Sequence, residues 1–241
     1  MQINTKAIVL HFIKYGESQV IVDLFTEQVG RVSFICPIPK SSKGKTKRQF
    51  FQPLTILDVQ FDYRQKMKLQ RFKDIRIAEP FSTIPFDPYK LSISLFCAEF
   101  LYHATRDEQK NALLYDYVEK SILWLDSAVR AFSNFHFVFM LRLSRFLGFF
   151  PNLEDYHPGN LFDLRSGCFV GTVPLHKDFL LPADSAQILL LMRLQYETMH
   201  LLKISREDRN RCTALILQFY RLHIPDFPEL KSFDILRELF A

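Results

Sequence analysis

Residues 7–36 read AIVLHFIKYGESQVIVDLFTEQVGRVSFIC, and this stretch decides the fold of the first third of the chain. Ala7–Phe12 is rich in β-formers, Tyr15-Gly16-Glu17-Ser18 carries turn residues, and Gln19–Phe25 is a second β-rich run. Glu27-Gln28-Val29-Gly30 turns the chain again into Arg31–Cys36. Beyond a basic segment, Leu54–Phe61 and Leu69–Ile75 continue the pattern. About five short strands without an intervening long helix predict a small closed or nearly closed barrel. An OB-fold fits that count and length, and an SH3-like barrel fits the pattern almost as well.

From residue 88 the period becomes helical, with Leu91, Leu95, Ala98 and Leu101 on one face. Asp107 is positioned to cap a second helix bearing Leu114, Tyr117, Val118, Ile122 and Leu125. Asn134 is positioned to cap a third, from Phe135 towards Leu147, with Gly148 as its stop and Pro151 beyond. Residues 152–183 read as a loop-rich insertion with a hairpin around Leu161–Val173. Helices are expected again at 185–202, 206–222 and 232–240. The fold class is therefore α+β: a small N-terminal barrel over 1–80, then a mostly helical domain over 81–241.

The charge is unevenly placed. Of a net +5, residues 1–80 hold fourteen Lys and Arg against seven Asp and Glu, while the rest hold 17 against 19. A surplus confined to one module points to a local polyanion site. Its densest part is Lys40-Ser41-Ser42-Lys43-Gly44-Lys45-Thr46-Lys47-Arg48, five cations in nine residues without an acid. Between two strands this forms a basic loop at a barrel rim, whose contacts with phosphates release counterions. Its other reading is a solvated charge run. A second basic stretch holds Arg64, Lys66, Lys68, Arg71 and Lys73. Phe50, Phe51, Tyr63 and Phe72 are interleaved aromatics that suit either base stacking or the core, and 25 Phe in all supply a large core. On the third helix, Arg142 and Arg145 share a face beside Leu141 and Phe149, a combination suited to an acidic peptide with a hydrophobic end or free carboxylate.

Several classes are set aside. The basic segment lacks the first glycine of a phosphate-binding loop, and no nucleophile elbow, H-E-x-x-H or dinucleotide fingerprint occurs. Glu99 on the apolar face of its helix is a lone carboxylate, weak grounds for catalysis. His157, Cys168 and His176 have ten and seven residues between them, unlike the close pairs of structural zinc sites. Cys36, Cys97, Cys168 and Cys212 are scattered and read as free thiols. No apolar run reaches the ~18 residues of a membrane span, and the N-terminus shows no signal peptide. No enzyme activity, cofactor, metal or membrane contact is expected, and the location expected is cytoplasmic.

Lys6-Ala7-Ile8-Val9-Leu10, Tyr15-Gly16-Glu17-Ser18, Leu24-Phe25-Thr26-Glu27 and Gly30-Arg31-Val32 together resemble the opening of the RecO family of recombination mediators. Phe50-Phe51-Gln52-Pro53-Leu54 after the basic segment, Arg142-Leu143 through Leu147-Gly148-Phe149-Phe150-Pro151-Asn152, and Leu230-Lys231-Ser232 with Leu236 extend the resemblance along some 235 residues. It implies an N-terminal OB-fold on a helical domain, binding of single- and double-stranded DNA, and strand annealing. It also implies help in loading RecA on SSB-coated DNA, in partnership with RecR and the C-terminal tail of SSB. Many members carry two CxxC pairs where residues 152–183 retain only Cys168, which places zinc in doubt here. The candidate DNA-binding residues are Arg31, Lys40, Lys43, Lys45, Lys47, Arg48, Lys66, Lys68 and Arg71; the candidate partner-binding residues are Arg142 and Arg145. The alternative is a protein-interaction scaffold whose helical domain binds partners.

Overall fold

The computed structural model describes residues 1–37, 48–106 and 108–239. They divide into two compact units, Met1–Ser127 with Leu230–Leu239, and Ala128–Glu229. The first contains β1 (Gln2–Tyr15), β2 (Gln19–Thr26), β3 (Gly30–Pro37), β4 (Ile56–Asp62), β5 (Leu69–Gln70), β6 (Phe72–Glu79), α1 (Pro88–Ala104) and α2 (Ala112–Ser127). The second contains α3 (Phe135–Phe146), β7 (Leu161–Asp163), β8 (Cys168–Val170), β9 (Phe179–Leu180), α4 (Pro182–Met192) and α5 (Arg206–His223). The last helix, α6 (Lys231–Leu239), belongs to the first unit.

The six-stranded sheet has the order β5-β3-β2-β1-β4-β6. β1 is long enough to pair with β4 through Gln2–Ile8 and with β2 through Ala7–Tyr15. A bulge between Val9 and His11 bends it between the two ladders, as an extra residue on one strand does. β5 lies parallel to β3, with Leu69 opposite Ser33 and Gln70 opposite Phe34. β6 lies antiparallel to β4, and only Arg71 separates β5 from β6. The two ends of the strand order are thus joined by one residue of chain, and the sheet is barrel-like in the OB manner. The expected single strand Leu69–Ile75 is two strands because one stretch must pair with β3 and then with β4. Inside, Phe34 stacks on Phe72 with ring centroids 4.2 Å apart and meets Phe61 edge-on at 4.9 Å. Ile3, Ala7, Val9, Val22, Leu24, Leu57 and Val59 complete the core from alternate positions of their strands.

Local signals explain most helix starts. Asp87 accepts hydrogen bonds from the amides of Tyr89 and Lys90, and Pro88 occupies the first turn of α1. Asp107 lies outside the described residues; the Asn111 side chain accepts from the amide of Leu114 at the start of α2. Asn134 does precede α3 as expected, but its side chain makes no capping bond there. The helix expected at 185–202 ends at Met192. A turn follows in which the Thr198 hydroxyl accepts from the amide of Gln195, a local bond that competes with helix continuation. Residues 161–180 form the expected hairpin, β7 with β8, and β9 adds a third strand. Phe162, Leu164, Phe169 and Leu180 of this small sheet pack with Ile188 and Phe219.

The passage from β6 to α1 is held by Asp126 at the end of α2. Its carboxylate accepts from the amides of Ser82, Thr83 and Ile84 at 2.8–2.9 Å, and from the Ser82 hydroxyl at 2.9 Å. Lys90, only 2% exposed, donates to the Asp126 carbonyl at 2.9 Å and to the Thr83 hydroxyl at 2.6 Å. Burial alone would raise the Asp126 pKa; the amide hydrogen bonds outweigh it and hold the carboxylate below its ordinary value of 3.8. Asp126→Ala leaves the three amides and the Ser82 hydroxyl without their acceptor and removes the carboxylate charge near the buried Lys90 ammonium, and is expected to cost about 3 kcal/mol in urea unfolding. Because the folded pKa is lowered, the contribution is complete above the unfolded value and is lost as pH falls through the folded one. Unfolding in an acid series should therefore show wild type losing stability below pH 3.8, with Asp126→Asn losing less over the same range.

Candidate nucleic-acid interface

The loop between β4 and β5 is organised from inside by Gln70, which is 3% exposed. Its amide nitrogen donates to the carbonyls of Arg64 at 3.0 Å and Met67 at 2.7 Å, and its oxygen accepts from the Arg64 amide at 3.1 Å. With the backbone polar groups satisfied inward, Lys66 and Lys68 stand exposed. Arg71 is exposed at the residue that joins the ends of the sheet. None of the three makes an ion pair with a described residue. Three cations of β1 and β6 are instead matched: Lys6 with Glu119 at 2.8 Å and Glu79 at 3.4 Å, Lys73 with Asp62 at 2.8 Å, and Arg76 with Asp58 at 3.1 Å. Lys14, near the end of β1, is exposed and makes no ion pair with a described residue. Hydrogen bonding to Glu119 raises the Lys6 pKa. Lys73, part of the second basic stretch in sequence, is thus already neutralised.

Of the dense basic segment, Lys40, Lys43, Lys45 and Lys47 lie outside the described residues. Arg48 opens a short 3-10 turn, Arg48–Phe51, and its side chain also lies outside them. The parallel register of β5 on β3 runs Arg71 towards the Pro37 end of β3, where the segment begins, while Lys66 and Lys68 lie towards the Gly30 end.

The interleaved aromatics are core residues. Phe50 and Phe51 are buried, Phe72 stacks on Phe34, and Tyr63 packs edge-on against Phe61 at 6.1 Å. Phe50 and Phe51 thus fill the interior of the small barrel, and Tyr63 and Phe72 are partly buried against it. Phe12 and Tyr15 are instead exposed rings, 39% and 53% exposed on the β1–β2 hairpin beside exposed Lys14. β1 is buried through Ala7–Leu10 and exposed from His11 to Tyr15.

Arg31 is committed within the fold. Its guanidinium donates to the Tyr102 carbonyl at 2.7 Å, lies 4.2 Å over the Tyr102 ring and stands 4.0 Å from Asp23. Burial lowers its pKa, opposed chiefly by the Asp23 charge. Burial pushes the Asp23 carboxyl up, but hydrogen bonds with His11 and Ser33 and the Arg31 charge outweigh it and hold it down. Beside it, Gly30 has φ +72°, and a Cβ there would lie 2.4 Å from the Gln109 carbonyl. Only glycine admits both the turn and this approach.

In the second unit, Arg142 is half-buried, 6.0 Å from the Tyr196 ring, and Arg145 is exposed, 4.3 Å over Phe150. Neither makes an ion pair with a described residue. Their expected apolar neighbours are spent internally: Leu141 is buried, and Phe149 packs against Phe219, Tyr220 and His223. Glu99 accepts from the amides of Lys231 and Ser232 and from the Ser232 hydroxyl, which makes it a structural acceptor at the start of α6. Among the described residues no three His, Cys, Asp or Glu side chains converge on a metal position. His176 lies 3.4 Å from Asp163, and Cys168 faces the Ser166 hydroxyl. Among the same residues no helix is long and apolar enough to cross a membrane.

An OB-like sheet with unpaired cations on one loop and seam, followed by helices, defines the class. Residues 1–81 match the family described as Recombination protein O N terminal, and residues 85–232 that described as Recombination protein O C terminal. The chain is 51% identical over 238 residues to DNA repair protein RecO of Phocaeicola vulgatus, covering 99% of each chain. It is 48% identical over 238 residues to that of Bacteroides fragilis, covering 98% of each, and 35% identical over 240 residues to that of Azobacteroides pseudotrichonymphae, covering all of both. The chain belongs to the RecO family.

The engagement of Arg31 separates its role from that of the exposed cations. Arg31→Ala is expected to lower unfolding free energy by about 2 kcal/mol, the scale of a hydrogen bond from a charged donor. A DNA titration of the still-folded variant should leave the salt dependence unchanged.

Proposed function

We propose that this protein is a non-enzymatic DNA repair and recombination mediator of the cytoplasm. In this reading it binds single- and double-stranded DNA, anneals strands and helps load RecA on SSB-coated DNA. The observation that carries the reading is the set of exposed cations Lys66, Lys68 and Arg71, which make no ion pair with a described residue, on a barrel where Lys6, Lys73 and Arg76 are matched by carboxylates. Charges without internal partners are the ones that replace counterions on a phosphate backbone. The family relationship supports the same reading, since the relatives bear the name DNA repair protein.

Residues 1–80 are proposed as the DNA-binding domain, with Lys40, Lys43, Lys45, Lys47 and Arg48 adding to the three described cations. Residues 81–241 are proposed as the partner-binding domain, containing the insertion at about 152–183. RecR and the C-terminal tail of SSB are the proposed protein partners. Arg145, exposed and oriented by Phe150, is the better placed carboxylate donor for that tail; Arg142 is its neighbour one turn earlier.

Two measurements test this. Replacing Lys66, Lys68 and Arg71 together with Ala should lower the log–log salt slope of single-stranded DNA binding by about 2, at about 0.7 per lost contact. The triple Ala variant at Lys43, Lys45 and Lys47 should do the same, and unchanged slopes in both sets would sink the DNA-binding reading. Arg145→Ala should weaken a labelled SSB tail peptide by about 1–3 kcal/mol in anisotropy, with DNA binding intact. Equal loss in both assays would mean a shared site or a folding defect instead.

A further inference from the structure

The second unit carries another concentration of positive charge, at the opposite end of α3 from Arg142 and Arg145. A cavity of about 590 Å³ opens there, and Ala131, Ser133, Asn134, His200, Lys203 and Arg209 are among its lining residues. The residues that line it include no Asp or Glu.

Its walls are fixed by Asn134, which is 2% exposed. The Asn134 amide nitrogen donates to the carbonyls of Met199 and Leu202, each at 2.9 Å, and its oxygen accepts from Arg209 Nε at 3.1 Å. One side chain thereby ties the approach to α3, the turn at 199–202 and the first turns of α5. This is what Asn134 does in place of capping α3. It also sets the plane of the Arg209 guanidinium, the pre-organisation that makes arginine a good anion ligand. Arg209 is half-buried, and loss of solvation pushes its pKa down. A cation poorly served by water gains more from an arriving anion than an exposed one does. Lys203 and His200 are exposed at the rim, and Lys203 makes no ion pair with a described residue. Asp208, the acid next to Arg209, accepts from Ser205 and lies 3.4 Å from Arg211. Ala131 is held at φ +67° on the same rim, a conformation unfavourable for any residue with a Cβ.

We infer that this cavity is a phosphate pocket, in which Arg209, Lys203, His200 and the Ser133 hydroxyl hold one phosphate group of a DNA strand. Donors on several walls suit the tetrahedral oxygens of phosphate better than a planar carboxylate. The inference rests on the DNA-binding reading above and adds to it a contact on the helical unit. Free phosphate offers the same chemistry, so the test must separate the two sources.

The full-length Lys203→Gln variant is compared with wild type and with the triple Ala variant at Lys43, Lys45 and Lys47. Single-stranded oligonucleotide binding is followed by anisotropy over a salt series, and inorganic phosphate is titrated while the amide resonances of Ser133 and Lys203 are monitored. Lys203→Gln should lower the log–log salt slope by about 0.7, one single-strand contact. Phosphate should shift the Ser133 resonance in wild type and less in the variant. An unchanged slope in Lys203→Gln beside a reduced one in the triple variant overturns the pocket alone. An unchanged slope in both, and also in the triple Ala variant at Lys66, Lys68 and Arg71, overturns the DNA-binding reading with it. A phosphate-dependent shift with an unchanged slope assigns the pocket to free phosphate and overturns its assignment to DNA.

Discussion

The stack of Phe34 on Phe72 holds the N-terminal sheet in its barrel-like form. The two rings belong to β3 and β6, near opposite ends of the strand order, and lie 4.2 Å apart and nearly parallel. For them to meet, the sheet must curl, and the chain must leave β3 and join β4 within Gln70-Arg71-Phe72. The β1 bulge supplies part of the bend. The same crossing leaves Arg71 pointing outward, since its neighbours face the interior or the Gln70 network. The position of a proposed DNA contact is thus a by-product of how the core closes.

Charge in this protein falls into two populations that composition alone cannot separate. Arg31, Lys90 and Asp126 are largely removed from water and hydrogen-bond to carbonyls, amides and hydroxyls, although Arg31 Nε is buried without a hydrogen-bond partner among the described residues. Replacing either member of such a set strands the other, so these residues act on stability. Lys66, Lys68 and Arg71 remain solvated, contribute little to folding and keep their charge available for a polyanion. Arg209 lies between these extremes, half-buried but lining a cavity without acids.

The strand runs were legible because alternation and β-rich composition are local properties: Gln19–Phe25 and Arg31–Cys36 correspond to β2 and β3 within a residue or two. The helical period from residue 88 and the helices expected at 107–125 and 206–222 correspond to α1, α2 and α5, since that period too is a local property. The break of the 185–202 helix was not, because it turns on one hydroxyl, that of Thr198, competing for a backbone amide. Nor was the role of Asn134, whose three partners lie 65–75 residues away in sequence.

Sequence by itself determined the order of β then α, the basic bias of the first eighty residues and the family resemblance, all of which are carried by residue type and spacing along the chain. Tertiary structure alone decided which cations are used up. Lys73 and Lys68 are alike in sequence, yet Asp62 stands 2.8 Å from the first and no described carboxylate pairs with the second. Arg31 looked like part of the basic surface until folding placed the Tyr102 carbonyl 2.7 Å from it. The physical reason is that electrostatic and hydrogen-bond energies fall off over a few ångströms, and only the folded chain fixes distances on that scale between residues far apart in sequence.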